Sequence, residues 1–433
     1  MSRPGRYGEE PGGGHGGGAR DGFRQFVLKV HSRCNLACTY CYIYTGPDGS
    51  WRDRPRRVPD ATVRQVAHRI AEHTARHGLA RIRIDLHGGE PLLSGAGFLV
   101  AYADTVRAAV RRAAPAARVD VTVQTNGTLL TEAALDRLAA ARIRVGLSLD
   151  GGTAALNARR VDHTGRSSWP AVRRAAGLLA SRPDSYAGLL STIDLATDPR
   201  EVYRSLRRLG PPALDFLLPH AHWADRAPGR HRPSPTPYAD WLIPAFELWW
   251  ADREEGRPRL RLFSEILAVL LGADSATEAV GLSPLAVVVV DTDGAIEQVD
   301  ALKSAYEGAP ATGLDVFRHS FDEALRHPGV AARRQGLRAL AEVCLSCPVV
   351  RVCGGGNYAH RYAARTGGFR HPSVYCADLE RLIRHLADRL AGELDPARDA
   401  RAREAPARDA RPHDAPEGTA EAFLSNRGTD CCN

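Results

Sequence analysis

The chain has 433 residues, 44% hydrophobic and 25% charged, with six tryptophans; at roughly 150 residues per domain it holds one large or two to three ordinary folded domains, and wholesale disorder or a fibrous repeat is excluded. No apolar run is much longer than residues 285–290, far short of the roughly 20 residues that a membrane-spanning helix needs. The net charge of +8 arises from 58 Lys+Arg against 50 Asp+Glu; all but two of the basic residues (Lys29 and Lys303) are arginines scattered among acids, so a nucleic-acid partner is not expected.

In chain order, residues 1–22 are glycine-rich and lack the basic-then-apolar layout of a secretory signal, which predicts a disordered tail and a reducing, cytoplasmic setting. Strands are predicted at 26–31, 82–87, 119–125, 145–149, 189–193 and 214–218, alternating with helical patterns. Val63, Val66, Ala67, Ile70 and Thr74 make one apolar stripe at helical spacing. Asp198 before Pro199 reads as a helix start, Leu206 and Leu209 as its apolar contacts, and Gly210 as its end. Six strand-helix alternations predict an α/β fold with a parallel sheet, wound open or curled toward a barrel, whose chemistry lies at the C-terminal strand ends. After about residue 255 the pattern changes to a helix at 260–271 and a hairpin of 287–291 and 296–299 around Thr292-Asp293-Gly294. A second domain over 256–395 is expected, followed by a disordered tail over 396–433.

Seven of the nine cysteines fall into two groups. His31-Ser-Arg-Cys34-Asn-Leu-Ala-Cys38-Thr-Tyr40-Cys41 places a C-x3-C-x2-C loop directly after the first strand. Three thiolates can hold an iron-sulfur cubane while leaving one iron open to a reactant; a zinc site completed by His31 is the alternative. Cys344, Cys347, Cys353 and Cys376 supply four thiolates around Gly354-Gly355-Gly356. A fully ligated cluster there would move electrons and not bind substrate, and a closed zinc site is again the alternative. Cys431 and Cys432 sit in the polar tail and are expected to be incidental.

The first loop resembles the signature of radical S-adenosylmethionine (SAM) enzymes. That resemblance implies a partial (β/α)6 TIM-like barrel over residues 23–255, a 4Fe-4S cluster on Cys34, Cys38 and Cys41, and a SAM molecule chelated by the open iron and cleaved to a 5'-deoxyadenosyl radical. Tyr40 is the aromatic residue of the signature. His87-Gly88-Gly89-Glu90-Pro91 matches the stretch that presents backbone oxygens to the SAM ammonium. Asn126, in Thr125-Asn126-Gly127, and Ser148 and Asp150, in Ser148-Leu149-Asp150-Gly151, match positions that contact SAM ribose and carboxylate. Arg160 resembles the arginine that pairs the SAM carboxylate, with Arg159 as the competing surface arginine.

The segment from Val349 through Cys353 and Asn357 to His360 resembles the SPASM domain, the small auxiliary-cluster domain of radical SAM peptide maturases, and specifically the FxsB-type cyclophane-forming family. This implies an oxidoreductase acting on a ribosomally made precursor peptide: a hydrogen leaves a side-chain β-carbon, the carbon radical joins an aromatic ring, and the ring loses one electron and one proton. A reductant such as a flavodoxin or ferredoxin is implied as partner. Thioether or formylglycine formation is the rival chemistry, and a non-enzymatic zinc or nucleic-acid-binding protein the rival of another class. The positions aligned with two usual SPASM cysteines are Val299 and Asn357, so one auxiliary 4Fe-4S cluster is expected and not two. Asp300 aligns with an acid that takes a substrate proton. His220, His222 and Trp223, after the sixth strand, are expected at a peptide groove, a His-x-His metal pair being the alternative. Phe423-Leu424-Ser425 in the tail resembles the Phe-x-Ser core of FxsB-type precursors; a chance match is expected, with a tethered substrate as the alternative.

Overall fold

A computed structural model describes residues 22–225, 227–229 and 234–395. The expectations for the two tails, including Cys431, Cys432 and Phe423-Leu424-Ser425, lie outside these residues. All six expected strands form: β1 (Gln25–His31), β2 (Arg81–Gly88), β3 (Arg118–Thr125), β4 (Ile143–Ser148), β5 (Tyr186–Thr192) and β6 (Ala213–Leu217). They pair in parallel in that order, and β7 (Arg259–Leu260) adds to β6. The helices α1 (Asp60–Arg76), α2 (Ala96–Ala113), α3 (Glu132–Ala140), α4 (Trp169–Ala180) and α5 (Pro199–Arg207) alternate with these strands, and α6 (Pro237–Ala251) and α7 (Arg261–Leu270) flank β7. The result is a partial TIM-like barrel.

The strands alternate by face. Ile82, Ile84 and Leu86 of β2 are buried in one core with Val66, Ala67 and Ile70 of α1 and with Leu99, Ala103 and Val106 of α2. Residues of the opposite parity point inward, as period-2 geometry requires, and they are polar: Gln25 donates to Asp85 at 2.6 Å and Gln124 to Ser148 at 2.7 Å. The α1 stripe read from the sequence is buried throughout, Thr74 included. In α5 the Asp198 carboxylate accepts from the Arg200 N–H at 2.9 Å, capping the helix as expected, and Gly210 takes φ +63° three residues after its last turn.

The hairpin forms from β8 (Val287–Val290) and β9 (Ala295–Glu297), with β10 (Ala311–Asp315) antiparallel beyond it. Gly294 adopts φ +94° in its turn, where a side chain would be strained. β8 pairs in parallel with β1, Phe26 opposite Val288 and Leu28 opposite Val290. One ten-stranded sheet therefore runs β10-β9-β8-β1-β2-β3-β4-β5-β6-β7. The remaining chain forms a 3-10 turn at Asp300–Ser304 and the helices α8 (Phe321–Arg326), α9 (Pro328–Ala332), α10 (Glu342–Leu345), α11 (Val350–Cys353) and α12 (Cys376–Leu394). No helix among the described residues is long and apolar enough to cross a membrane.

Candidate functional site

The first cysteine loop leaves β1 and is held from both sides. Ala37 N–H donates to Val161 O at 2.7 Å and Thr39 N–H to Arg159 O at 3.1 Å, while Cys41 N–H closes a turn on Cys38 O. Opposite, Gly89 and Glu90 N–H donate to His31 O and Arg33 O. A Cβ on Gly89 would overlap both the Arg33 carbonyl and the Tyr44 hydroxyl, so this approach of two backbones requires glycine. Burial pushes the Cys34 thiol up to about 12 and raises Cys38 as well. Such thiols become thiolates only with a bound cation to compensate.

Around this loop the expected SAM contacts converge at the C-terminal ends of β1 to β4, in different capacities. Glu90, fully buried, accepts from Leu92 N–H, Asn126 N–H and the Thr125 hydroxyl at 2.7–2.9 Å; its carboxylate ties the ends of β2 and β3 together. Asn126 donates to Asn35 Oδ1 at 2.9 Å and reaches Cys34 Sγ at 3.6 Å. Ser148 accepts from Gln124. The Tyr40 hydroxyl donates to Asp150 Oδ2 at 2.5 Å and accepts from Arg160 Nη1 at 2.8 Å. Arg160 is buried and its Nε has no partner, whereas Arg159 is half-exposed and stacks over the Tyr40 ring. An orphaned guanidinium N–H beside a three-cysteine loop fits an incoming carboxylate.

Asp300 is joined to Lys29 of β1 by a short charge-assisted bond through Oδ2, while Oδ1 is buried with no partner. Burial raises its pKa, but the charges of Lys29, His87 and Lys303 outweigh this and hold the carboxyl below the usual aspartate range. Lys29 carries that effect above pH 5, because burial lowers His87 to about 4 and keeps it neutral. His87 Nδ1 is a second unpartnered buried atom. Lys303, also buried, is ion-paired to Asp48 and Glu297 at 3.0 and 3.2 Å. Neither lysine was singled out as a site residue, yet the signal was present: a chain that writes nearly every cation as arginine keeps lysine at two positions, both beside this acid.

After β6, His220 packs edge-to-face on Tyr42 with ring centroids 4.3 Å apart, at the mouth of the cysteine loop. His222 points elsewhere: its Nε2 meets Ser304 O at 2.8 Å and its Nδ1 accepts from Ala224 and Asp225 N–H. With both nitrogens engaged it cannot pair with His220 on a metal, and the His-x-His alternative is set aside. Trp223 Nε1 donates to Pro372 O at 2.8 Å.

Cys344, Cys347, Cys353 and Cys376 line one small cavity with Val350, Gly355 and Ser373. Gly354, Gly355 and Gly356 all have positive φ, wrapping the backbone round this cavity, and buried Arg361 donates to the carbonyls of all three at 2.7–3.0 Å. Burial raises Cys344 and pushes Cys353 up to about 11. Cys376 is disulfide-bonded here, so a ligand role requires its reduced form. Tetrahedral zinc, with bonds of about 2.3 Å, would bring sulfurs to about 3.8 Å of one another. Among the described residues, His73, His77 and Asp322 offer ligand atoms within 4.8 Å of one another. There His73 Nε2 accepts from Phe23 N–H and Nδ1 faces Asp322 at 2.9 Å, a closed hydrogen-bond set.

Val299 packs into a small separate core with Leu302, Ala305, Ala309, Ala359 and Tyr362. Beside it Tyr358 stacks on Phe369 at 4.5 Å, and Tyr306 and Tyr362 complete an aromatic group. At Val299, where the resemblance led to the expectation of a missing cysteine, side chains fill the space, and Asn357 Oδ1 accepts from Ala359 N–H at 3.0 Å.

Residues 28–182 match the Radical SAM superfamily. Over 346 residues the chain is 27% identical to the serine-type anaerobic sulfatase-maturating enzyme of Klebsiella aerogenes, covering 79% of this chain and 81% of that protein. It is 26% identical over 284 residues to the cysteine-type anaerobic sulfatase-maturating enzyme of Clostridium perfringens, covering 63% and 73%. Among solved structures, native anSMEcpe with bound AdoMet and Cp18Cys peptide superposes with a TM-score of 0.70 at 20% identity, over 86% of this chain and 99% of that one; this likeness is one of fold. The non-enzymatic alternative is set aside by these matches.

Proposed function

Because the chain is a radical SAM enzyme, we propose that it matures a ribosomally made precursor peptide by joining an aromatic ring to a side-chain β-carbon, a cyclophane crosslink. The observation that carries this reading is the coexistence of a three-cysteine loop at the C-terminal end of β1, beside the unpartnered Arg160 Nε, with a second, enclosed cysteine group among α10, α11 and α12. When bound, the cluster and SAM of this superfamily supply a 5'-deoxyadenosyl radical. In this reading Cys34, Cys38 and Cys41 hold that cluster. The Arg160 Nε binds the SAM carboxylate, the Gly88-Gly89 backbone meets its ammonium, and Ser148 and Asp150 orient the ribose. Tyr40 holds Arg160 and Asp150 in register, and Glu90 and Asn126 brace the loop they support.

Asp300, kept ionised by Lys29, takes the ring proton at Oδ1. Cys344, Cys347, Cys353 and reduced Cys376 would hold one auxiliary cluster, which would supply an acceptor for the electron lost with that proton. Residues 23–255 then serve as the radical SAM domain and 256–395 as the auxiliary domain, with a flavodoxin or ferredoxin as reductant. The resemblance of 349–360 to FxsB-type maturases favours the crosslink; the named activity of the relatives favours a second reading, formylglycine formation. Anaerobically purified protein, SAM, reductant and short peptides with an aromatic-x-Ser core distinguish them. Loss of two hydrogens, with backbone fragments between the two residues absent from the mass spectrum, supports the crosslink. A hydrazide-reactive aldehyde on a Ser or Cys peptide supports formylglycine formation and overturns the crosslink.

A further inference from the structure

Four rings from four distant segments stand in file between the two cysteine sites. Tyr42 directly follows Cys41, and Tyr375 directly precedes Cys376. Between them Tyr42 meets His220 with centroids 4.3 Å apart, His220 meets His360 at 5.4 Å with Nδ1 and Nε2 separated by 3.3 Å, and His360 meets Tyr375 at 4.9 Å. His360 and Tyr375 are almost wholly buried. Hydrogen bonding alone does not account for the file: His360 Nδ1 is buried without a partner, an arrangement that protein cores usually avoid because of its desolvation cost. Burial also lowers His220 to about 4 and His360 well below the ordinary histidine value, so both rings are neutral and place no fixed charge on the line.

We propose that Tyr42, His220, His360 and Tyr375 form the path by which an electron passes between the first cysteine site and the second. This rests on the reading that the second site holds a cluster. Rings in van der Waals contact offer polarisable, gap-free matter, through which electrons cross more readily than through voids or solvent. The rings conduct without being oxidised or reduced themselves. In the forward sense an electron released at the first site reaches the auxiliary cluster, which is reduced by one electron. In the reverse sense the auxiliary cluster refills the first site and is oxidised by one electron.

The reverse sense is testable without knowing the peptide. Holoenzyme with both clusters reduced is freed of reductant and mixed with SAM alone, and the auxiliary-cluster signal is followed by freeze-quench electron paramagnetic resonance alongside deoxyadenosine release. Each SAM cleaved takes one electron from the first site, so a second equivalent of deoxyadenosine requires the auxiliary electron. Wild type is expected to lose the auxiliary signal and release that second equivalent. His360→Leu and Tyr375→Leu, with unchanged iron content, are expected to keep most of the signal and stop at the first equivalent, while Tyr375→Phe, which retains the ring, behaves as wild type. Decay in His360→Leu as fast as in wild type, or slowing by Tyr375→Phe, would overturn the path. Iron amounting to a single cluster in wild type would overturn the two-cluster reading and the path with it.

Discussion

The two cysteine sites differ in what surrounds them. The first is built by reaching: strands β1 to β4 and the segment 159–161 each contribute a brace, and unsatisfied groups remain around it, namely Arg160 Nε, His87 Nδ1 and Asp300 Oδ1. The second is built by wrapping. Its own glycine turn and Arg361 enclose it, and among the described lining residues no side-chain nitrogen or oxygen is buried without a partner. Unmet hydrogen-bonding capacity in a folded interior points to a missing ligand, so the first site expects a reactant and the second only its metal.

The strongest way to break this contrast is to empty each site in turn. Cys34→Ala should abolish deoxyadenosine formation and remove about four irons per chain, the content of one cubane. Cys353→Ala should leave deoxyadenosine formation intact while eliminating peptide product. Equal effects on both readouts would show that the sites do not divide the work.

Lys29→Met tests the buried Lys29–Asp300 pair. It leaves a buried carboxylate without its counter-charge, at a cost of about 3–5 kcal/mol measured by chemical denaturation at pH 7. The pH dependence has a definite sign. In wild type the carboxyl is held below its unfolded value of about 4, so the pair stabilises the fold above that pH and the contribution is lost as pH falls through the lowered pKa. In the variant burial is unopposed by Lys29, the pKa rises, and the acid limb of the product-formation profile moves to higher pH.

Arg361→Met should cost about 3 kcal/mol, since three buried glycine carbonyls lose their donor at about 1 kcal/mol or more each. Its iron loss should be confined to the second site, seen as survival of the SAM-responsive spectrum. At the small end, Arg160→Met should raise the KM for SAM, while Arg159→Ala, half-exposed, should change stability by less than about 1 kcal/mol and leave that KM unmoved.

What could be read from the sequence was local. Strand alternation in 82–87, the α1 stripe and the Asp198 cap depend on neighbours within a few residues, and the cysteine spacings carry their chemistry in the same short range. What escaped depends on long-range closure. Lys29 meets Asp300 across 271 positions and His220 meets His360 across 140, and no periodicity records such partners. The hairpin was foreseen, but its seat beside β1 was not, because Val287–Val290 is equally apolar toward any partner strand.

That seat limits how the molecule can adapt. Asp300 follows β9 and the cysteine loop follows β1, two inter-strand spacings apart, about 10 Å laterally, within a single ladder that no hinge interrupts. A bulky guest cannot be admitted by clamshell motion between the halves, so tolerance for new guests has to be engineered in the surface loops. By the same logic, expressing residues 23–255 alone would strip β1 of a neighbour, and the bare edge would invite aggregation.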